Sequence, residues 1–483
     1  MPQPSITIIG AGFGGLGTAI ELTRAGYTDV TVLEKAGRVG GVWRDNTYPN
    51  AACDVPSSLY SWSFAPHPGW PHRYSRQDEI LAYIERTARE HGVLDLVQTG
   101  VEVTSLAWDD ETRTWLVTTA VGDTRRTDVV VTALGQLSRP VVPDLPGTDS
   151  FDGPAFHSAE WDHDVDLRGR RVAVIGTGAS AIQFVPGIAP EAGRVTVFQR
   201  SAPYVVPKPD REYTAAHGRL FSTLPRTQRF GRNLTWVLSE HLNRSMAGTG
   251  GIKRLMELAW RAQLRLQVRD PELRATLVPD YPIGCKRLLF SNDWYPTLAR
   301  PDVDVVTEPV VEVLPEGVRS GDGQVHDADV IIYGTGFAAT EFLAPLRVTG
   351  RGGVDLHDDH WKAGARAYLG LCVPDFPNLF VMYGPNTNLG GSSIINMLES
   401  QSEAITTLLR HAESTGADTV AVRPEAEQAY DEEIQTRLAD SVWAGCSSWY
   451  REDGGRITTN WPGTVAEYKH RCAELDLDAF VTD

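Results

Sequence analysis

Two glycine loops of one design carry the plainest chemistry in this 483-residue sequence. Gly10, Gly12 and Gly15 of SITIIGAGFGGLG fill the spacing G-x-G-x-x-G between an apolar strand and a helix. The first glycine permits a tight turn, the second lets backbone N–H groups approach a pyrophosphate, and the third packs helix on strand. Glu34 ends the following strand, where a carboxylate accepts from ribose hydroxyls. RRVAVIGTGASAIQF repeats the unit with Gly176, Gly178 and an alanine, Ala181, at the third position, so Thr177, Gly178, Ala179 and Ser180 would cradle a second dinucleotide. The two strand ends differ: VTVLEK in the first unit becomes VTVFQR in the second. Gln199 replaces the acid, and Arg200 and Ser201 follow it. A ribose 2′-phosphate would meet a cation there instead of a repelling carboxylate, which favours NADPH over NADH. The competing reading of Arg200 is a solvated surface charge.

Between the loops, FDGPAFHSAEWD sets Phe151, Gly153, His157, Trp161 and Asp162 in the spacing F-x-G-x-x-x-H-x-x-x-W-D. Spacing alone reads a single histidine such as His157 as structural. The pattern resembles the fingerprint of the type I Baeyer–Villiger monooxygenases, FAD- and NADPH-dependent enzymes that insert oxygen beside a carbonyl, and the resemblance covers nearly the whole chain. It implies that the linker is a hinge sensing cofactor state, with no proton transfer asked of His157. It also implies FAD at the first loop, with Gly41, Trp43, Asp54 and Tyr60 in a second FAD-contacting segment and Gln136 close to the flavin. Met397 falls at the flavin on the same resemblance, the 388–393 loop near the substrate, and Trp449 over NADP. On the residues alone Asp54 reads as a turn or N-cap residue, and Met397 as core.

The segment KRLLF resembles the catalytic element of that family, which makes Lys286 an NADPH-phosphate contact, Arg287 the catalytic arginine and Asp54 its acidic partner. Read without the resemblance, Arg287 is an ordinary salt-bridge residue at a strand start. The family's chemistry has reduced flavin capture O2 as a covalent peroxide that stays anionic and attacks a ketone, giving an ester or lactone. Arginine suits that anion because it stays protonated and donates several hydrogen bonds from one plane. Two other functions stay open. A related flavin monooxygenase oxidising sulfur or nitrogen need not hold Arg287 and usually lacks the Trp161–Asp162 pair. A non-catalytic flavin-binding redox sensor would keep both loops without needing Asp54 and Arg287.

The elements that must position these residues follow from periodicity. Residues 5–34 read as one βαβ unit, 78–91 as an amphipathic helix, and VEVTSLAWD, TWLVTTA and DVVVTALG as a meander appended to the first nucleotide unit. The expected fold is α/β: two Rossmann-like dinucleotide-binding domains, for FAD and NADPH, with an inserted helical subdomain. Its divisions are 1–140 with 336–483 for FAD, 141–207 with 286–335 for NADPH, and 208–285 for the helices. In the insertion, Ile252, Leu255, Met256, Leu258 and Ala259 are spaced as one core-facing stripe. Tryptophans 43, 62, 70, 161, 294, 449 and 461 lie in loop-like stretches, where some would line a flat-ligand cavity and the rest pack. With a net charge of -17, nucleic acid and anionic membranes are repelled on average, leaving a small ketone and O2 as partners. Oligomeric state is not legible. The five cysteines form no C-x-x-C pair, which predicts free thiols, no metal site and a reducing compartment. Without a leader or a membrane-length apolar run, the expected location is cytoplasmic.

Overall fold

The computed structural model describes residues 3–247, 252–445, 450 and 455–483. SITIIG and DVVVTALG are apolar without alternation because their strands are covered on both faces, the mark of a parallel sheet. Ile6–Ile9 lies at the centre of the first sheet, between Val129–Thr132 and Val30–Glu34, with Leu379–Val381 and Val97–Thr99 at the edges. All its pairings are parallel. The meander, Val103–Asp109, Thr114–Thr119 and Thr124–Thr127, is antiparallel and takes Arg347–Thr349 as a fourth strand. The Trp115 indole donates to the Pro377 carbonyl at 2.8 Å and ties this layer to the sheet.

A second parallel sheet runs Val303–Val306, Arg194–Phe198, Arg171–Ile175, Val330–Tyr333, Ala155–His157. The linker 151–162 therefore supplies its edge strand. Gly153 is required there: a Cβ would lie 2.3 Å from the Asp329 carbonyl oxygen. The two sheets are clamped through Gln183 on the helix Ala181–Ile188, whose amide donates to the Ala52 carbonyl at 3.0 Å and accepts from the Ala52 N–H at 3.2 Å. Gly187 on that helix lets Asn50 approach, since a Cβ would meet its Nδ2 at 2.9 Å.

The helices Ala215–Thr223, Pro225–Ala247, Ile252–Gln267 and Pro271–Thr276 form the insertion. Its buried stripe differs from the expected one. Trp260, Leu264 and Val268 are fully buried with Met256 packed beside them, whereas Leu255 and Leu258 are 68% and 65% exposed and Ala259 is exposed. The Trp260 indole decides between the two overlapping i, i+4 stripes, because it buries more area than the leucines and donates to the Tyr295 hydroxyl at 2.8 Å. The cysteines also require a correction. Cys53, Cys372 and Cys472 are free, but Cys285 is disulfide-bonded, and Cys446 lies outside the described residues. No nearby cysteine announced that bond. Among the described residues there is no metal-ligating cluster and no helix long and apolar enough to cross a membrane.

Candidate active site

One cavity of about 1580 Å³ touches both glycine loops. That exceeds the roughly 300–1,000 Å³ of a pocket for a single small ligand. At the first loop Gly10 has φ +104°, and a Cβ on Gly15 would sit 1.8 Å from the Gly10 carbonyl oxygen, so strand and helix meet backbone to backbone. Gly41, at φ +56°, closes against Gly12: a Cβ on Gly41 would lie 3.1 Å from the Gly12 Cα. Glu34 is buried and accepts from the Ala11 N–H at 2.8 Å and the Ala36 N–H at 2.9 Å, and it pairs with Arg44 at 2.9 Å. An ionised carboxylate has about four acceptor sites, so one remains for a ribose hydroxyl. Trp43 lines the cavity and donates to the Tyr60 hydroxyl at 3.1 Å. The Gln136 amide donates to the Tyr383 carbonyl at 3.0 Å, while its Oε1 is buried without a protein donor. A glycine cradle, a spare carboxylate site and an orphaned acceptor beside a large cavity fit a flavin dinucleotide.

The second loop repeats the turn with Gly176 at φ +107°, and Thr177, Gly178, Ala179 and Ser180 line the cavity. Gln199 does not take over the hub position of Glu34. Its amide donates instead to the Thr276 carbonyl at 2.9 Å, tying the sheet to the helical insertion. Arg200 is left exposed beside the cavity. Lys286 reaches the same place from far along the chain, with Nζ 3.0 Å from the Ser201 hydroxyl and 4.4 Å above the Tyr281 ring. Burial depresses the Lys286 pKa, and Arg200 adds to that against the pull of Asp280. Two cations and a hydroxyl converging at the rim fit a phosphate monoester.

The short parallel pairing of Val205–Val206 with Leu289–Phe290 aligns the segment after the second loop with KRLLF. It delivers Arg287 and a cation that sequence reasoning missed, Lys208. Lys208 Nζ lies 3.5 Å from the Asp54 carboxylate, and Asp54 caps no helix. Arg287 makes no hydrogen bond or salt bridge to a described residue; it lines the cavity and is solvent-exposed there. Burial pulls its pKa down, yet the acidic surroundings, Asp54 first among them, outweigh burial, so the guanidinium is held charged. Burial pushes the Tyr383 and Tyr450 phenols up to about 12, against the opposing pull of Arg287. They stay neutral and cannot neutralise it.

Tyr383 has φ +56°, an uncommon conformation for a tyrosine, held by its hydroxyl on Asn388 at 2.9 Å and its N–H on Gln401 at 2.9 Å. Asn388 in turn donates to the Asn460 side chain at 2.9 Å, and Trp461 N–H donates to the Asn388 carbonyl at 2.8 Å. The NWPG segment thus braces the 388–393 loop.

Other expected residues lie apart. Met397 is fully buried in the first core and does not line the cavity; Met382 does. His157 is buried at the sheet edge, its Nδ1 accepting from the Ala159 N–H at 3.1 Å and its ring edge-on to Phe337 at 5.6 Å. Burial lowers its pKa, with the Gly336 backbone opposing, so it is neutral. Trp161 packs on Phe156 and Phe184, and Asp162 is exposed. Of the seven tryptophans, Trp43 reaches the cavity, Trp62, Trp70, Trp294 and Trp461 are buried in cores, and Trp449 lies outside the described residues.

Residues 7–216, which hold both glycine loops, match the family model described as pyridine nucleotide-disulphide oxidoreductase. Over 475 residues the chain is 46% identical to a Baeyer–Villiger monooxygenase of Streptomyces coelicolor, covering 98% of this chain and 91% of the relative. A Baeyer–Villiger monooxygenase of Pseudomonas aeruginosa is 40% identical over 481 residues, covering 98% and 90%. Among solved structures, OTEMO in complex with FAD and NADP superposes with a TM-score of 0.89 at 26% identity, covering 100% of both chains.

Proposed function

The chain belongs to the Baeyer–Villiger monooxygenases, and from that premise we propose that it converts a small ketone to the matching ester or lactone. NADPH, a proton and O2 are consumed, and NADP+ and water are released. Bound at the first loop, FAD supplies the two-electron activation of O2 that the reaction needs. Gly10, Gly12 and Gly41 give the pyrophosphate its backbone approach, Glu34 its ribose contact, and Gln136 an open acceptor. Arg200, Ser201 and Lys286 hold the NADPH 2′-phosphate.

The observation that carries the reading is Arg287, a cation with no hydrogen-bond or salt-bridge partner among the described residues, set beside the neutral phenols of Tyr383 and Tyr450. It stabilises negative charge on oxygen within the cavity and so favours attack on a polarised carbon. Asp54, paired with Lys208, keeps the acid close enough to hold the guanidinium charged without quenching it. The two sheets support assigning 1–140 with 336–483 to FAD, 141–207 with 286–335 to NADPH and 208–285 to a helical cap. The demand for NADPH supports a cytoplasmic location.

The test is product analysis of the purified protein with NADPH, heavy-isotope O2 and a panel of cyclic, aromatic and linear ketones plus a sulfide. One heavy oxygen atom should appear in an ester and the other in water. Sulfoxide as the sole product, or NADPH consumption that yields hydrogen peroxide alone across the panel, would overturn the proposal.

A further inference from the structure

The charge of this protein is unevenly spread. Residues 215–269 carry ten Lys/Arg and two Glu, a net +8, while the remainder carries 35 and 60, a net -25. Both glutamates are engaged: Glu240 accepts from the Val465 and Ala466 N–H groups at 3.1 and 3.2 Å, and Glu257 pairs with Arg261 at 2.7 Å. The same segment holds nine of the fifteen exposed large apolar side chains among the described residues. On Pro225–Ala247 the exposed stripe runs Phe230, Leu234, Val237 and Leu238, flanked by Arg226 and Arg244; on Ile252–Gln267, Leu255 and Leu258 lie among Arg254, Arg261 and Arg265. These are the leucines expected in the core and found in solvent.

We propose that this face docks on an anionic lipid bilayer surface, its arginines at the headgroups and its leucines and Phe230 in the interfacial layer. Amphipathic helices that pair an apolar stripe with Lys/Arg bind such surfaces, each cation adding attraction within a Debye length of roughly 8 Å. That range screens the acidic remainder of the chain. A second copy of the protein would set two cationic faces against each other, and a nucleic acid would leave the leucines without a partner. Leu238 belongs both to the exposed stripe and to the cavity wall, so docking would hold the cavity rim at the lipid.

The test is cosedimentation of the full-length holoenzyme with phosphatidylcholine vesicles, with and without phosphatidylglycerol. Association should require phosphatidylglycerol and weaken by about tenfold or more in high salt. The double variant Leu234→Glu/Leu255→Glu, both outside the cavity wall, should bind about tenfold more weakly or worse while oxidising NADPH as before. Arg226→Gln/Arg254→Gln should weaken binding through charge alone. Equal binding to pure phosphatidylcholine, no binding at all, or wild-type binding by both variants would overturn the proposal. So would a concentration-dependent dimer that Leu234→Glu dissociates, which would give the face to a second copy.

Discussion

Glu34 and Gln199 end equivalent strands of equivalent βαβ units, yet the two side chains do opposite jobs. Glu34 is turned inward, holding the Ala11 and Ala36 N–H groups and Arg44, so the first loop is built around a carboxylate. Gln199 is turned away onto Thr276, and the polar groups that the second loop presents to the cavity are the Arg200 cation and the incoming Lys286 with its Ser201 hydroxyl partner. The third loop position differs in the same sense. Gly15 sits against the Gly10 carbonyl, whereas Ala181 already carries a Cβ, lying 3.2 Å from where a Cβ on Gly334 would stand. One scaffold thus presents a buried carboxylate at the first strand end and cations with a hydroxyl at the second.

The comparison is broken most severely at the third glycine. Gly15→Ala places a Cβ 1.8 Å from backbone oxygen, where no side chain can yield, so the cost exceeds the ~3 kcal/mol of ordinary overpacking. Loss of bound FAD and of soluble protein is expected, while Ala181→Gly remains folded and yellow; absorbance at the flavin band checks both. Next in size is the phosphate site. Arg200→Ala should lower kcat/KM for NADPH by about 10- to 100-fold, the worth of a charge-assisted hydrogen bond, and leave NADH unchanged. An unchanged preference would show that the cation at the second strand end is only a surface charge. The smallest effect is in pH. Lys286 has a depressed pKa, so its ammonium form, which binds phosphate, is lost as pH rises through a value below the ordinary lysine range. KM for NADPH should climb toward alkaline pH by about three- to tenfold, the ~1 kcal/mol of a partly solvated charge contact, with no matching change for NADH.

What could be read from the chain depended on how local the determinant is. The glycine loops, the strand ends and the meander are written in contiguous residues, and their backbone requirements allow few alternatives. The resemblance to a family brought Lys286 and Arg287 to the site, since nothing near them signals their neighbours. Lys208 was illegible because its partner, Asp54, is distant in sequence and meets it only through the Val205–Val206 pairing with Leu289–Phe290. The cap helix Ile252–Gln267 misled because two apolar stripes overlap on it, and only the packing of Trp260 settles which one is buried. The Cys285 disulfide left no spacing signal. Tyr383 reaches Arg287 through a left-handed backbone turn that no propensity favours.

The central claim is that the Arg287 guanidinium, held charged and with no counter-ion in contact among the described residues, is what directs oxygen into carbon. Arg287→Ala, matched to wild type in FAD content, should be assayed for ester yield per NADPH oxidised. Loss of about a hundred- to thousandfold in ester formation, ~3–4 kcal/mol of charge stabilisation, with NADPH oxidation continuing, is the predicted result. Ester yield equal to wild type from the FAD-loaded variant would contradict it.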